Sequence, residues 1–222
     1  MAAHTIPTLS AGAVTLRPIQ LRDAKVLDRM LIENRTWLRQ WEATYPDAMR
    51  SFDTRAAIRN LLVHAREGNG LPFLMVLDGQ PVGQLNVSSI VHGSLSSASV
   101  GYWVTRAAAG KAVTPTGVAL ATDYCFEQLR LHRIEICIRP ENTPSLRVVE
   151  KLGFRYEGLR RRYIHINGEW RDHYAFALVR EEVPNGVLRR WKDGQVPPVA
   201  AVPDADREAA EHPIATFDLG FR

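Results

Sequence analysis

The residues best placed to do chemistry lie in one short run, Ala109-Gly110-Lys111-Ala112-Val113-Thr114, set between an apolar strand-like segment and a helix-like one. A small-residue loop feeding a helix N-terminus leaves several backbone N–H groups unpaired and aimed beyond the loop. Such a place binds anions, phosphate most often. Lys111 or Arg106 would add positive charge there and Thr114 a hydroxyl. Taken alone, the same residues are simply a tight turn into a helix.

The elements around this loop follow from residue spacing. Before it, Ala98 to Val104 is largely continuous in apolar character, as suits a central strand covered on both faces. After it, Pro115 fits the first position of a helix whose stripe is Val118, Ala121, Cys125 and Leu129, ending near Arg130. Ile134, Ile136 and Ile138 alternate with Glu135 and Cys137 in the next strand. Asn142 or Thr143 can cap the following helix, with Pro144 at its first position, Leu146, Val149 and Leu152 buried, and Gly153 as its C-cap.

Upstream, Val14–Pro18 reads as a short first strand, and Leu27, Met30, Leu31, Asn34, Leu38 and Trp41 space a long amphipathic helix, with a break expected near Trp37. Asp53-Thr54 caps a helix carrying Ile58, Leu61, Leu62 and Ala65. Phe73–Leu77 and Val82–Val87 flank the turn Asp78-Gly79, and a second hairpin joins Phe154–Ile166 to Arg171–Leu178 through Asn167-Gly168. Beyond Arg180 come a short helix around Val187, Leu188 and Trp191, an extended Pro-rich stretch from Val196 to Pro203, and a charged tail. Disorder is the default for Asp204–Arg222, with Ile214, Phe217, Leu219 and Phe221 available for docking.

Four phrases in order, Val100-Gly101-Tyr102-Trp103, Leu131-His132-Arg133-Ile134-Glu135, Pro140-Glu141-Asn142-Thr143-Pro144-Ser145 and Val149-Glu150-Lys151-Leu152-Gly153-Phe154, resemble the GCN5-related N-acetyltransferases. Within that superfamily the chain is similar to the RimJ/RimL branch, which acetylates ribosomal-protein N-termini. The resemblance implies an α/β fold, the GNAT or acyl-CoA N-acyltransferase fold: a mixed, mostly antiparallel sheet of about seven strands, a splayed central parallel pair and helices on both faces. Chain length and the change of character beyond Arg180 divide the chain into a catalytic domain over residues 1–180 and a C-terminal extension over 181–222.

The same resemblance assigns roles. Acetyl-CoA is the implied co-substrate, with no metal. Trp103, Val104 and Thr105 would present the splayed strand edge to its pantetheine arm; Arg106, Gly110, Lys111, Ala112, Val113 and Thr114 would hold its pyrophosphate. The family's loop pattern is Gln or Arg, two residues, Gly, one residue, then Gly or Ala. Assigned to Ala109, Ala112 and Thr114, it departs at all three signature positions. Asn142 matches an asparagine near the thiol end, or is only a helix cap. Ser145 matches a serine that protonates the departing thiolate, or is a first-turn serine satisfied by backbone; Tyr163 and Tyr174 are the fallback acids. Glu135 is the first candidate base, against an ordinary ion pair, followed by Asp172, Glu169 and His173. Trp37, Trp41, Tyr102 and Asp172 are the candidate acceptor-binding residues, the two tryptophans being equally plausible as core. No covalent enzyme intermediate is expected, so Cys137 is not a nucleophile.

Composition restricts the rest. Lys and Arg exceed Asp and Glu by 28 − 24 = 4, which tolerates an anionic cofactor but falls short of a dedicated nucleic-acid binder. Arg160-Arg161-Arg162 therefore reads as a solvated edge. Cys125 and Cys137 have neither CxxC nor metal-ligand spacing and read as reduced buried thiols. With no secretion signal and no long apolar run, a cytoplasmic protein with no membrane role is expected, as monomer or homodimer. The expected reaction is acetyl transfer from acetyl-CoA to a protein N-terminal α-amine. The alternatives are a small-molecule amine such as a polyamine or aminoglycoside, or a catalytically silent acyl-CoA-binding domain.

Overall fold

In the computed structural model the described residues are 6–44, 46 and 53–212. In chain order they form β1 (Leu9–Ala11), β2 (Val14–Pro18), α1 (Ala24–Glu33), α2 (Arg35–Leu38), α3 (Thr54–Arg66), β3 (Leu71–Leu77), β4 (Gln80–Val91), β5 (Ser97–Val104), α4 (Val113–Glu127), β6 (Arg133–Ile138), α5 (Thr143–Leu152), β7 (Arg155–Ile166), β8 (Glu169–Val179), α6 (Val187–Lys192) and α7 (Asp204–Glu211).

The strands make one sheet in the order β1-β2-β3-β4-β5-β6-β8-β7. All neighbours are antiparallel except β5 and β6, whose parallel register covers only Ser97↔Arg133, Ala98↔Ile134 and Ser99↔Glu135. Beyond Ser99 the two strands part, so the expected splay lies at the centre of the sheet. Among the described residues eight strands are present rather than about seven: β1, only three residues long, pairs with β2 across the turn at Gly12.

Helices cover both faces because β3 is buried on both. Leu71, Phe73 and Met75 join a core that includes Val118, Ala121 and Cys125 of α4 and Val149 and Leu152 of α5. Leu74 and Val76 join a second core with Leu27 and Met30 of α1 and Ile58 of α3. Alternation along a pleated strand sends these two sets to opposite faces. Helix α4 approaches closely at Gly117, where an added Cβ would stand 3.2 Å from both Leu16 and Met75 side chains.

Three boundaries differ from expectation, each for a local reason. The α1–α2 break falls at Asn34 rather than Trp37, because the Asn34 side chain serves two backbones: Nδ2 donates to Met30 O at 2.8 Å and Oδ1 accepts from Arg106 N at 2.9 Å. Helix α4 starts at Val113, so Pro115 takes its third position, still within the turn whose N–H groups have no intrahelical partner. The segment Asp204–Glu211, expected to be disordered, is helix α7. Asp206 accepts from the Tyr156 hydroxyl at 2.8 Å, and Arg161 donates to Ala209 O at 2.7 Å and His212 O at 2.8 Å. Ile214, Phe217, Leu219 and Phe221 lie outside the described residues. No helix among the described residues is long and apolar enough to cross a membrane.

Candidate active site

The parting of β5 from β6 opens the sheet at Tyr102, Trp103 and Val104. Thr105 N donates to Val82 O on the β4 side at 2.8 Å. Alternation along β5 then turns the N–H and C=O groups of Tyr102 and Val104 toward the gap that β6 has left. One of these groups is already engaged, since Trp37 Nε1 donates to Val104 O at 3.2 Å.

At the end of β5 the chain turns into α4 through two left-handed residues, Gly110 at φ +79° and Ala112 at φ +59°. A Cβ at Gly110 would meet nothing within 4 Å, so the backbone angle and not space asks for glycine there. Ala112 precedes the helix without a side-chain cap. Among the described residues, no hydrogen bond uses the N–H groups of Ala112, Val113 or Thr114. Three donors therefore converge at a helix N-terminus, where the macrodipole also favours negative charge.

A cavity of about 410 Å³ runs between this turn, β5 and the start of α5. Trp37, Trp41, Tyr102, Trp103, Val104, Gly110, Ala112, Val113, Thr114, Asn142 and Ser145 all line it. Thr105, Arg106, Lys111, Glu135 and Asp172 do not. Arg147 and Lys151 also line it; four residues apart on α5, nothing in the sequence distinguishes them from an ordinary solvated face.

At the start of α5 Asn142 is the cap, so Pro144 takes the second helical position rather than the first. Asn142 Oδ1 accepts from Ser145 N at 3.2 Å, and Gly153 ends the helix at φ +68°. Asn142 is therefore a cap and a cavity-lining residue at once, with its amide N–H groups still to use. Beside Ser145 stands Tyr102, whose hydroxyl is buried and, among the described residues, has no well-formed hydrogen bond. Burial pushes the phenol upward, and the adjacent Ser145 hydroxyl offsets part of that. It stays a neutral proton donor at all ordinary pH.

On the far side of Tyr102 lies a smaller cavity of about 190 Å³, sharing Trp41, Tyr102, Asn142 and Ser145 with the first and adding Cys137, Arg139 and His173. A third, of about 710 Å³, lies between α1, α3 and β4. Tyr102 and Trp41 line all three.

Glu135 sits elsewhere. It accepts from Arg133 Nε at 2.8 Å and from Arg160 Nη2 at 2.9 Å and lines none of these cavities. Burial raises its carboxyl, but the two guanidiniums outweigh this and hold it below the usual range. A carboxylate so placed is a poor proton acceptor, and its chemistry is that of an ion pair. Asp172 is buried against β7, accepting from Arg162 N at 2.6 Å and standing 3.2 Å from Arg161 Nε. Tyr163 and Tyr174 line neither cavity that contains Ser145. Among the described residues, no group of three or more His, Cys, Asp or Glu side chains is arranged to hold a metal.

Residues 13–155 match the family described as Acetyltransferase (GNAT) domain. The chain belongs to the GNAT acetyltransferase family. Mycobacterium smegmatis RimJ, solved in complex with CoA-disulfide, is 36% identical and superposes with a TM-score of 0.77 over 87% of this chain and 96% of that one. The Bacillus subtilis (strain 168) protein named Probable N-acetyltransferase YjcK is 30% identical over 177 residues, 78% of this chain and 98% of its own. The [ribosomal protein uS5]-alanine N-acetyltransferase of Escherichia coli (strain K12) is 28% identical over 174 residues, 77% of this chain and 89% of its own.

The GNAT loop pattern also falls into a better register once α4 is known to begin at Val113. Its two small positions are then Gly110 and Ala112, both left-handed, and only the first position, Ala107, departs from Gln or Arg.

Proposed function

We propose that the 410 Å³ cavity binds acetyl-CoA and that the chain transfers its acetyl group directly to a protein N-terminal α-amine, with a ribosomal protein as the acceptor, in the cytoplasm. One observation carries the proposal: a single cavity joins three unused N–H groups at a helix N-terminus to the Tyr102–Ser145 pair, along a strand edge left open by the parting of β5 and β6. The acceptor class is supported by the names of RimJ and the uS5-alanine enzyme.

Acetyl-CoA supplies a thioester carbonyl open to attack by an amine. The chain does the rest. Ala112, Val113 and Thr114 donate N–H groups to the pyrophosphate, and Arg147 and Lys151 add positive charge. Tyr102 offers its gap-facing N–H and C=O, and Val104 its N–H, to the amides of the pantetheine arm, and Asn142 its side-chain N–H. A backbone N–H on this edge stabilises negative charge as it develops on the carbonyl oxygen. Ser145, or Tyr102 beside it, protonates the departing thiolate; a thiol pKa near 8.5 means that a weak donor held in place is sufficient.

Incubation with acetyl-CoA, peptides beginning with Ala or Ser, a polyamine and an aminoglycoside, read by mass spectrometry, tests the acceptor. Acetylation at peptide α-amines is expected. Acetylation confined to the small amines would overturn the acceptor class, and failure to bind acetyl-CoA or CoA would overturn the whole proposal.

A further inference from the structure

The acceptor amine arrives as an ammonium and must lose a proton before it can attack, yet Glu135 is held by two guanidiniums away from the cavities. We infer that His173 accepts this proton, through Nε2, from an amine bound in the 190 Å³ cavity opposite Ser145. The inference rests on the acetyl-transfer function proposed above.

His173 follows Asp172 on β8, and the two have different surroundings. Asp172 accepts from the backbone of Arg162 on β7, whereas His173 lines the cavity with Tyr102, Asn142 and Ser145. Its Nδ1 lies 3.0 Å from Arg171 O. A carbonyl can only accept, so Nδ1 carries the hydrogen and Nε2 is left with the lone pair. The ring is fixed further by an edge-to-face contact with Tyr163 at 5.9 Å. The side chain is therefore oriented, in one tautomer, with its basic nitrogen uncommitted to any described hydrogen bond.

The groups facing His173 come from several elements. Arg139 follows β6, Glu141 lies in the turn before α5, Asp172 neighbours it along β8, Cys137 faces the same cavity from β6, Arg160 is its cross-strand partner on β7, and Tyr163 meets it edge-to-face from β7. Burial lowers its pKa; the Arg171 carbonyl, Glu141 and Asp172 push it back up, while Arg139 adds to the lowering. The imidazole is thus neutral at pH 7 and ready to take a proton.

Proton bookkeeping closes without a further reactant. One ammonium N–H proton passes to Nε2, the freed nitrogen lone pair forms the new C–N bond, and the C–S bond breaks. Ser145 or Tyr102 protonates the thiolate and is itself reprotonated by the proton lost from the new amide nitrogen. His173 returns its proton to water.

The test is the pH dependence of kcat/KM for an Ala-initiated peptide, for the wild type and for His173→Asn, which keeps a side-chain donor near the Nδ1 position and lacks Nε2. The wild type is expected to rise through the His173 titration, below pH 6.5, and to be level by neutrality. The variant is expected to be about 100-fold or more slower at pH 7, the usual worth of a positioned base. Its rate should keep climbing tenfold per pH unit toward the amine's own pKa, near 8. Calorimetry with CoA should give the same affinity for both. A variant within about threefold of wild type, or one with an unchanged pH profile, would overturn the role of His173 while leaving acetyl transfer intact. If the variant does not fold, the wild-type profile decides alone: a rate that climbs to pH 8 without levelling contradicts the inference. A wild type that binds acetyl-CoA and acetylates no amine would overturn the function and this inference with it.

Discussion

The indole of Trp37 donates to the carbonyl of Val104 across 3.2 Å, linking α2 to the open edge of β5. The expected acceptor-site tryptophan therefore also fixes the strand that presents the cofactor edge. Trp37→Phe keeps an aromatic side chain while removing this bond and part of the indole's area. A loss of about 1 kcal/mol is expected, seen as a fall of ~2–4 °C in melting temperature for a chain of this size. An unchanged melting temperature would show that the bond contributes nothing.

Gly83 lies against the same edge from the other side. A Cβ placed on it would stand 2.2 Å from Trp103 O and 2.9 Å from Val104 Cα, distances that backbone cannot yield without moving β5. Gly83→Ala is expected to cost about 1–3 kcal/mol and to weaken acetyl-CoA binding with it. Denaturant melts together with calorimetry would show both losses; stability lost with affinity unchanged would separate the strand from the cofactor.

Arg147 and Lys151 should act through charge. Replacing both by Ala is expected to weaken CoA binding while leaving the fold intact, and to flatten the dependence of affinity on salt concentration. An unaltered salt dependence would remove them from the site.

Ser145→Ala should lower turnover with little effect on CoA affinity, and Ser145→Ala combined with Tyr102→Phe should lower it further than either change alone. Turnover equal to wild type in the double variant would exclude both as the thiolate's proton donor. The two hydroxyls are neighbours, so their effects are not expected to add.

Acid should unfold the protein through its paired carboxylates. Asp23 feels burial, which raises it, but Arg17 at 2.8 and 2.7 Å and the Gln20 N–H pull it below its ordinary value. Glu157, held chiefly by hydrogen bonds from Arg133, is lowered likewise. A carboxyl depressed in the folded state contributes stability that is complete above its unfolded pKa and lost as pH falls through the folded one. Thermal melts should thus be steady above about pH 5 and fall progressively below about pH 4. Arg17→Met, which leaves Asp23 buried without its partner, should lower the pH 7 melting temperature and reduce the part of the acid loss due to Asp23.

Legibility in the sequence followed how local the determining chemistry is. Asn142, Pro144 and Gly153 are capping residues with short-range jobs, and α5 begins and ends where they indicate. The start of α4 was less legible because Ala112, a residue with a Cβ, occupies a left-handed angle that its type does not announce. Strand β1 is three residues long and exists through pairing with β2. Helix α7 depends on Tyr156 and Arg161, far away in sequence. Asn34 matched a helical stripe in the sequence, whereas its part in joining Met30 to Arg106 required the fold. His173 could be named as a candidate from its type, but its orientation and its distinction from Glu135 came from tertiary contacts alone.

The central claim is direct transfer within the cavity shared by Ser145 and the Ala112–Thr114 turn, and a single-turnover experiment tests it most directly. Protein in excess of acetyl-CoA is mixed with an Ala-initiated peptide, and free CoA thiol, acetylated peptide and the intact mass of the protein are followed together. The account predicts CoA and α-N-acetyl peptide appearing in equal amounts and at one rate, with no acetyl group on the protein at any time. Thiol release without acetylated peptide, or an acetyl group that passes through Cys137, would contradict it.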